Sequence, residues 1–553
     1  MFGRKLIYLL FTAALWSVTV SAKQNDLKIV VEPGTDAKFK VSISFEGDAS
    51  GTTNVRLPNE WGGQRELFKA IRILSVLPAS ATTLDTAEPF LKTISHRPGE
   101  KITIVYELTQ DFQGQLKNSV RYRPVSTREF IHWIGNTVWV LPEWKDESEV
   151  AVELEWKRLD RSWTIANSFG VSKRSQRFKT QFSDLRSSIF VAGNFRITST
   201  KASGKPVNVA IRGSWNFTDA ELAEMVRKVI ETERDFFNDN SQDYFLVTLV
   251  PVDEGPNTFS FGGTGLTDSF ALFATPNANI DGLRGLLAHE YFHNWNPARL
   301  GKMPEPEQSL YWFSEGFTEF YTYQLLYRGG LITQEEFVGR YNELIREYYM
   351  LPVRNEPNER IIKDFWNDRG VSRLPYLRGL LFATNLNAAI KRETAGKQSL
   401  DDVMLDLFAA SRRAPKPITF ESLTQRFNKY LKSDTASLIK RTIIDGETIE
   451  PVADALGNGF TREVVKVPVF ELGFDFEKFA KERVVSGVHP NSAAYEAGLR
   501  DGQQRNGGLS LTFGDTTKEI ELKVREHGIE KMIRYLPVAK ERVSIPQFRI
   551  AAK

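Results

Sequence analysis

Cysteine is absent from all 553 positions, and histidine occurs only six times. The first absence excludes disulfides, thiolate metal sites and a cysteine nucleophile, so stability must come from packing and chemistry from oxygen and nitrogen donors. An excess of charge of one sign is missing too. Lys and Arg total 72 against 69 Asp and Glu, a net charge of +3, too balanced for a nucleic-acid footprint. Long apolar runs are also lacking: the run from Leu6 to Val20 falls short of the ~20 residues that span a bilayer, and no later stretch reaches that length. Its flanks, Arg4 and Lys5 before and Ser21-Ala22 after, are those of a secretory leader cleaved after residue 22. The expectation is an exported protein with no integral membrane anchor after cleavage. A large exported chain without disulfides fits a bacterial periplasm better than an animal extracellular fluid.

A chain of this length exceeds one compact core, and its text changes character twice. Residues 23–200 read as short alternating runs such as "FKVSISFEG" and "KITIVYEL" between Gly, Pro and Asn clusters, which predicts a β-rich domain. Its tryptophans 133, 139, 144, 156 and 163 are expected in the core rather than on a sugar-binding surface. At Thr218 and Glu221 a capping box opens a helical period, with Leu222, Met225, Val226, Val229 and Ile230 on one face. "DYFLVTLVPV" and "SFALFATP" read as buried strands, and long amphipathic segments then run to about Asp434. Residues 201–455 are thus read as a second domain with a helical lobe, and short strands return over 460–553. The predicted class is multidomain α+β.

Two of the six histidines stand four apart in "LLAHEYFHNWNP". On a helix His289 and His293 present imidazoles to one point, with Glu290 beside them. Two neutral nitrogen ligands plus a carboxylate that can deprotonate metal-bound water are the elements of an HExxH zinc site. At this histidine content the chance expectation for the pattern is only about four in a thousand. A histidine third ligand of the HExxHxxGxxH type would need Gly at 296 and His at 299, where the chain has Asn296 and Arg299. Glu315, 22 residues beyond His293, has enough chain to return on an antiparallel helix as third ligand. Glu319 lies one turn further, placed to hold a ligand histidine's other nitrogen. One zinc ion per chain is expected. Upstream, Gly262, Gly263 and Gly265 in "FGGTGLTDSF" suit an edge strand whose backbone pairs with a peptide substrate.

"HEYFHNWNPARL" followed by "WFSEGFTEFY" resembles the gluzincin metallopeptidases, and specifically the glycyl aminopeptidase family. That resemblance implies a thermolysin-like catalytic domain, and peptides or proteins as substrates. In "LPYLRGLLF" it implies Tyr376 as a donor to the tetrahedral oxyanion. "ELGFDF" and "PNSAAYEAGLRDG" resemble a C-terminal PDZ domain, with Leu472, Gly473 and Phe474 as a carboxylate-binding loop that captures C-terminal peptides. Relatives carry Leu-Glu-His or similar after their Gly-Gly segment, where the acid holds the substrate's free amine. Here Thr267 and Asp268 stand where that Glu-His pair would be; Asp268 is displaced by one residue, and because successive strand residues face opposite sides it either points away from the cleft or is re-aimed by a local twist or bulge to hold the amine. Mechanistically, Glu290 is the general base on metal-activated water. The main alternative is an endopeptidase or periplasmic quality-control protease that uses the PDZ domain to capture C-termini. A minor one is an inactive peptidase fold kept for binding.

Overall fold

The computed structural model describes residues 25–255, 258–507, 509, 511 and 513–552, so the expected leader lies outside the described residues. The alternating runs of the front part form strands because each buries one face: Phe39–Glu46 alternates buried and partly exposed positions, as does Glu149–Trp156. A six-stranded sheet, a four-stranded sheet and a five-stranded sheet result. Trp133, Trp139 and Trp156 are buried between them, with Trp133 stacked on Trp156 at 6.1 Å and edge-on to Trp139 at 6.3 Å. They are core residues, as expected from the sequence, and Trp144 and Trp163 pack against the same core.

The catalytic part is built on a five-stranded mixed sheet in the order Arg196–Ala202, Lys205–Ile211, Phe245–Pro251, Ser269–Ala274 and Phe261–Leu266. The helix Asp219–Phe237 connects two of its parallel strands and begins in the predicted capping box. Thr218 Oγ1 accepts from the Glu221 amide at 3.1 Å, and Glu221 accepts from the Thr218 amide at 2.7 Å. Strands 245–251 and 269–274 are apolar without alternation because both faces are covered. Val247, Leu249 and Leu272 face the helices, whereas Leu246, Val250 and Phe273 face the five-stranded sheet of the front part. The edge strand Phe261–Leu266 pairs with a single strand among the described residues and runs beside the histidine helix Ile280–Phe292.

The glutamate helix Tyr311–Arg328 and the tyrosine helix Arg369–Glu393 cross behind the histidines. Their closest approach is at Gly316 and Gly379, where a Cβ on Gly379 would stand 2.0 Å from the Trp312 carbonyl oxygen. Further helices complete the lobe. The last part pairs Phe460–Phe470 with Val538–Ile550 in a long ribbon, beside a three-stranded sheet of 504–505, 520–526 and 529–535. The architecture is therefore multidomain α+β with a β-rich front and a helical lobe. No described helix is long and apolar enough to cross a membrane.

Candidate metal centre

Asn279 caps the histidine helix, its side chain accepting from the Gly282 amide at 2.9 Å. Leu283, Leu287 and Phe292 bury this helix in the core. His289 lies in the last turn and His293 is the C-cap residue, with φ −61° and ψ −15°. The backbone stays helical long enough for both rings to face one way. Their centroids are 4.9 Å apart. The glutamate helix is apolar almost all round and buried, which fixes its register against the histidines.

Each histidine is oriented through its Nδ1. That of His289 meets Glu319 Oε2 at 3.0 Å, and that of His293 meets the Asn296 carbonyl at 2.7 Å. Both Nε2 atoms are thereby directed to a common point with Glu315 Oε2, at 3.2 Å from His289 and 3.5 Å from His293. An ion holding two imidazoles and a carboxylate tetrahedrally at ~2.0–2.1 Å sets donor separations of about 3.3 Å, so this donor set fits zinc. Among the described residues, His289, His293 and Glu315 form the grouping that can hold a metal ion. The electrostatics suit a cation. Burial opposes the charge on Glu319, but the hydrogen bond from His289 and the charge of Arg373 bring it down to about 2. Burial also opposes the charge on Glu315, and the two histidines hold it well below the usual carboxylate range.

Glu290 lies on the same helix face without joining the ligand set. Its Oε2 accepts from the Gly265 amide of the edge strand at 3.2 Å, and burial raises its carboxyl against the lowering charges of His293 and His289. Tyr376 stacks on the His289 ring at 5.7 Å and 26°. Burial first, then the charges of Glu315 and Glu290, push its phenol well above its ordinary value, so it remains a proton donor. Its neighbours in the "YLRG" segment have other duties. Arg378 is buried and donates to the carbonyls of Ile443, Arg354 and Glu356, while Gly379 makes the helix crossing.

On the edge strand, Gly263 has no room for a side chain, since a Cβ would lie 2.4 Å from the Phe270 ring and 2.6 Å from the Ala271 carbonyl. Gly262 backs onto Arg121, and Gly265 stands over Glu290. Asp268 sits in the turn after the edge strand with φ 45°, and its carboxylate accepts from Gln242 at 2.8 Å, the outward placement that alternation along the strand allowed. Gln242 in turn contacts Tyr291 of the histidine helix and Asn294 just beyond its end. Thr267 goes to Asp184 at 3.4 Å. The left-handed turn is what rotates both side chains off the edge.

Three contributors to the site escaped the sequence. Asn296 acts through its carbonyl on His293, and its side chain bridges to Phe313, Ser314 and Thr318 of the glutamate helix. Arg373 lies 3.7 Å from Glu319 and grips Glu347 through two hydrogen bonds of 2.8 and 3.0 Å; its position one turn before Tyr376 was the available signal. Tyr122, from the front part, donates to the Gly263 carbonyl at 2.6 Å, and no local pattern marks it. In the C-terminal part, Gly473 has φ 75°, while the carbonyls of Leu472 and Gly473 accept from Tyr535 and from the His489 amide. A helix, Phe476–Glu482, follows Leu472, Gly473 and Phe474 directly.

Residues 282–360, which span the metal ligands and the glutamate helix, match the family model of the M61 glycyl aminopeptidases. The chain is a zinc-dependent peptidase of the aminopeptidase type. No curated protein sequence matches it. Among solved structures, an aminopeptidase N family protein from Idiomarina loihiensis aligns with a TM-score of 0.70 and 17% identity, covering 95% of this chain and 98% of that one. An M1 zinc metallopeptidase from Deinococcus radiodurans aligns with a TM-score of 0.48 and 14% identity over 78% of this chain and 96% of its own. The first likeness is one of fold, and it takes in the front and C-terminal parts as well as the segment that matches the family model.

Proposed function

We propose that the protein trims peptides from their N-termini with one zinc ion held by His289, His293 and Glu315. The observation that carries this reading is the convergence of both histidine Nε2 atoms on Glu315, with Glu290 beside them and against a free sheet edge. Zinc held by these three residues would supply a Lewis acid that makes water more acidic and polarises the scissile carbonyl. Glu290 takes the proton from the attacking water and returns it to the departing amine. Tyr376 donates to the developing oxyanion, a contact worth most in the transition state. The edge strand aligns the peptide, because Gly265 has no side chain between the strand and Glu290 and lets another backbone approach.

An endopeptidase is the second reading, and Asp268 favours it: with its carboxylate on Gln242, the edge strand offers no acid to a substrate's amine. Comparing hydrolysis of free-amine peptides with their N-acetylated twins, with and without chelator, separates the two. Faster cleavage of the free amines supports trimming; faster cleavage of the acetylated forms assigns an endopeptidase. Capture of C-terminal peptides at Leu472, Gly473 and Phe474 remains a proposal of the PDZ resemblance. With a helix after the loop, such capture rests on loop amides, and a free-acid peptide must bind tighter than its amide. Export rests on the leader-like residues 1–22, and Lys23 is the expected mature N-terminus.

A further inference from the structure

The free edge of the catalytic sheet is stopped at one end by a loop of the front part. In antiparallel pairing, the N–H and C=O of alternate residues point off the edge. Gly263 and Gly265 are those residues here, since the Gly263 carbonyl accepts from Tyr122 and the Gly265 amide donates to Glu290. The loop is fastened beyond that point: the Asn118 amide donates to Glu254 and its side chain to Ser260, both at 2.6 Å. A peptide laid along the edge from Gly265 thus finds the carbonyl of Gly263 already taken.

At this stop stands Arg121. Its guanidinium carbon lies 3.2 Å from where a Cβ on Gly262 would be, so glycine at 262 is what admits it. It lies 4.5 Å over the Tyr122 ring, donates one hydrogen bond to the Asn118 carbonyl at 3.2 Å, and keeps its buried Nε without a partner. Among the described residues no carboxylate pairs with it. A guanidinium fork so placed matches a carboxylate in geometry and charge, and in a partly desolvated cleft that pairing is strong. We propose that Arg121 receives a carboxylate of the bound peptide and so sets substrate preference. The inference rests on the peptidase reading, and the carboxylate is either the C-terminus of a short peptide or an Asp or Glu side chain.

Binding to zinc-loaded Glu290→Gln protein, measured by calorimetry, tests this without turnover. One pair of probes is an Ala tripeptide as free acid and as amide; the other is amidated peptides with Glu or Gln at successive positions. The expected result is at least tenfold tighter binding of the carboxylate member in one pair. The responding pair identifies the source. Adding Arg121→Gln should reduce the preference below threefold, and Arg121→Lys should retain part of it, with zinc content and melting behaviour showing that both variants fold. Equal affinity within both pairs, failure of either member to bind, or a preference undiminished by Arg121→Gln overturns the proposal. Failure of the peptidase reading is distinct: it appears as wild-type enzyme that binds the probes and cleaves no peptide.

Discussion

Glu290 and Tyr376 both move protons, and their surroundings assign them opposite directions. Glu290 is a carboxylate beside two histidines, whereas Tyr376 faces carboxylates that keep its phenol protonated. Neither belongs to the ligand set. Glu290→Gln should therefore keep its zinc in elemental analysis while losing about 10²–10⁴ in kcat, because an amide cannot take the proton. Tyr376→Phe should lose about 10²–10³ in kcat with a small change in KM. Wild-type rates in either variant would reassign the role. At this scale the sequence was informative where spacing within a helix carries the geometry, as for His289, Glu290 and His293 on one helix and Glu315 and Glu319 on the other. It was silent where a backbone atom acts, as in the Asn296 carbonyl, or where the partner lies 141 residues away, as Tyr122 does from Gly263. It left the orientation of Asp268 open, because that depends on a turn that the sequence does not show to be left-handed.

Elements in this protein are positioned by close contacts that tolerate little change. At the crossing of the glutamate and tyrosine helices, Gly379→Ala adds a methyl 2.0 Å from the Trp312 carbonyl oxygen. Alanine gains about 1 kcal/mol of helix propensity over glycine, but a backbone clash inside a packed core costs about 1–3 kcal/mol or more. The clash wins, and the helices move apart. A lower Tm together with weaker zinc retention is expected, since Glu315 and Tyr376 lie one residue and one turn from the crossing; an unchanged Tm would contradict this account. A second contact couples the front sheet to the catalytic sheet. His132 is buried, meets Thr248 at 3.2 Å and Phe273 at 4.9 Å, and burial lowers its pKa to about 3. The unfolded chain protonates this histidine below about 6.5 while the folded chain does not, so stability falls as pH drops through that value. At pH 5 the loss is about 2 kcal/mol. Thermal melts from pH 7.5 to pH 5 should show a steeper decline for wild type than for His132→Gln. Strand and helix types were legible from period and capping residues, whereas this sheet-on-sheet interface was not, because its residues come from separate β-rich texts.

Across the whole molecule, the C-terminal part is tied into the metal centre. Phe548 is buried in the catalytic core, and Asn342 holds its backbone in both directions at 2.8 Å. Asn342 sits on the helix Gln334–Met350, which also carries Glu347. Glu347 grips Arg373, Arg373 lies beside Glu319, and Glu319 orients His289. The ribbon thus clamps the helix that supports a ligand's own support. Loss of a residue that orients a metal ligand costs about 10–100-fold in metal affinity. A chain ending at residue 455 should therefore show zinc affinity lower by at least that factor in chelator competition, and should fail on small peptides that need no docking module. Asn342→Ala in the full chain should act in the same direction and more weakly, by about 1–3 kcal/mol of stability, since it leaves buried backbone groups of Phe548 unpaired. If the C-terminal part were only a tethered binding module, the shortened chain would keep wild-type zinc affinity and small-peptide turnover, and the clamp would have no role.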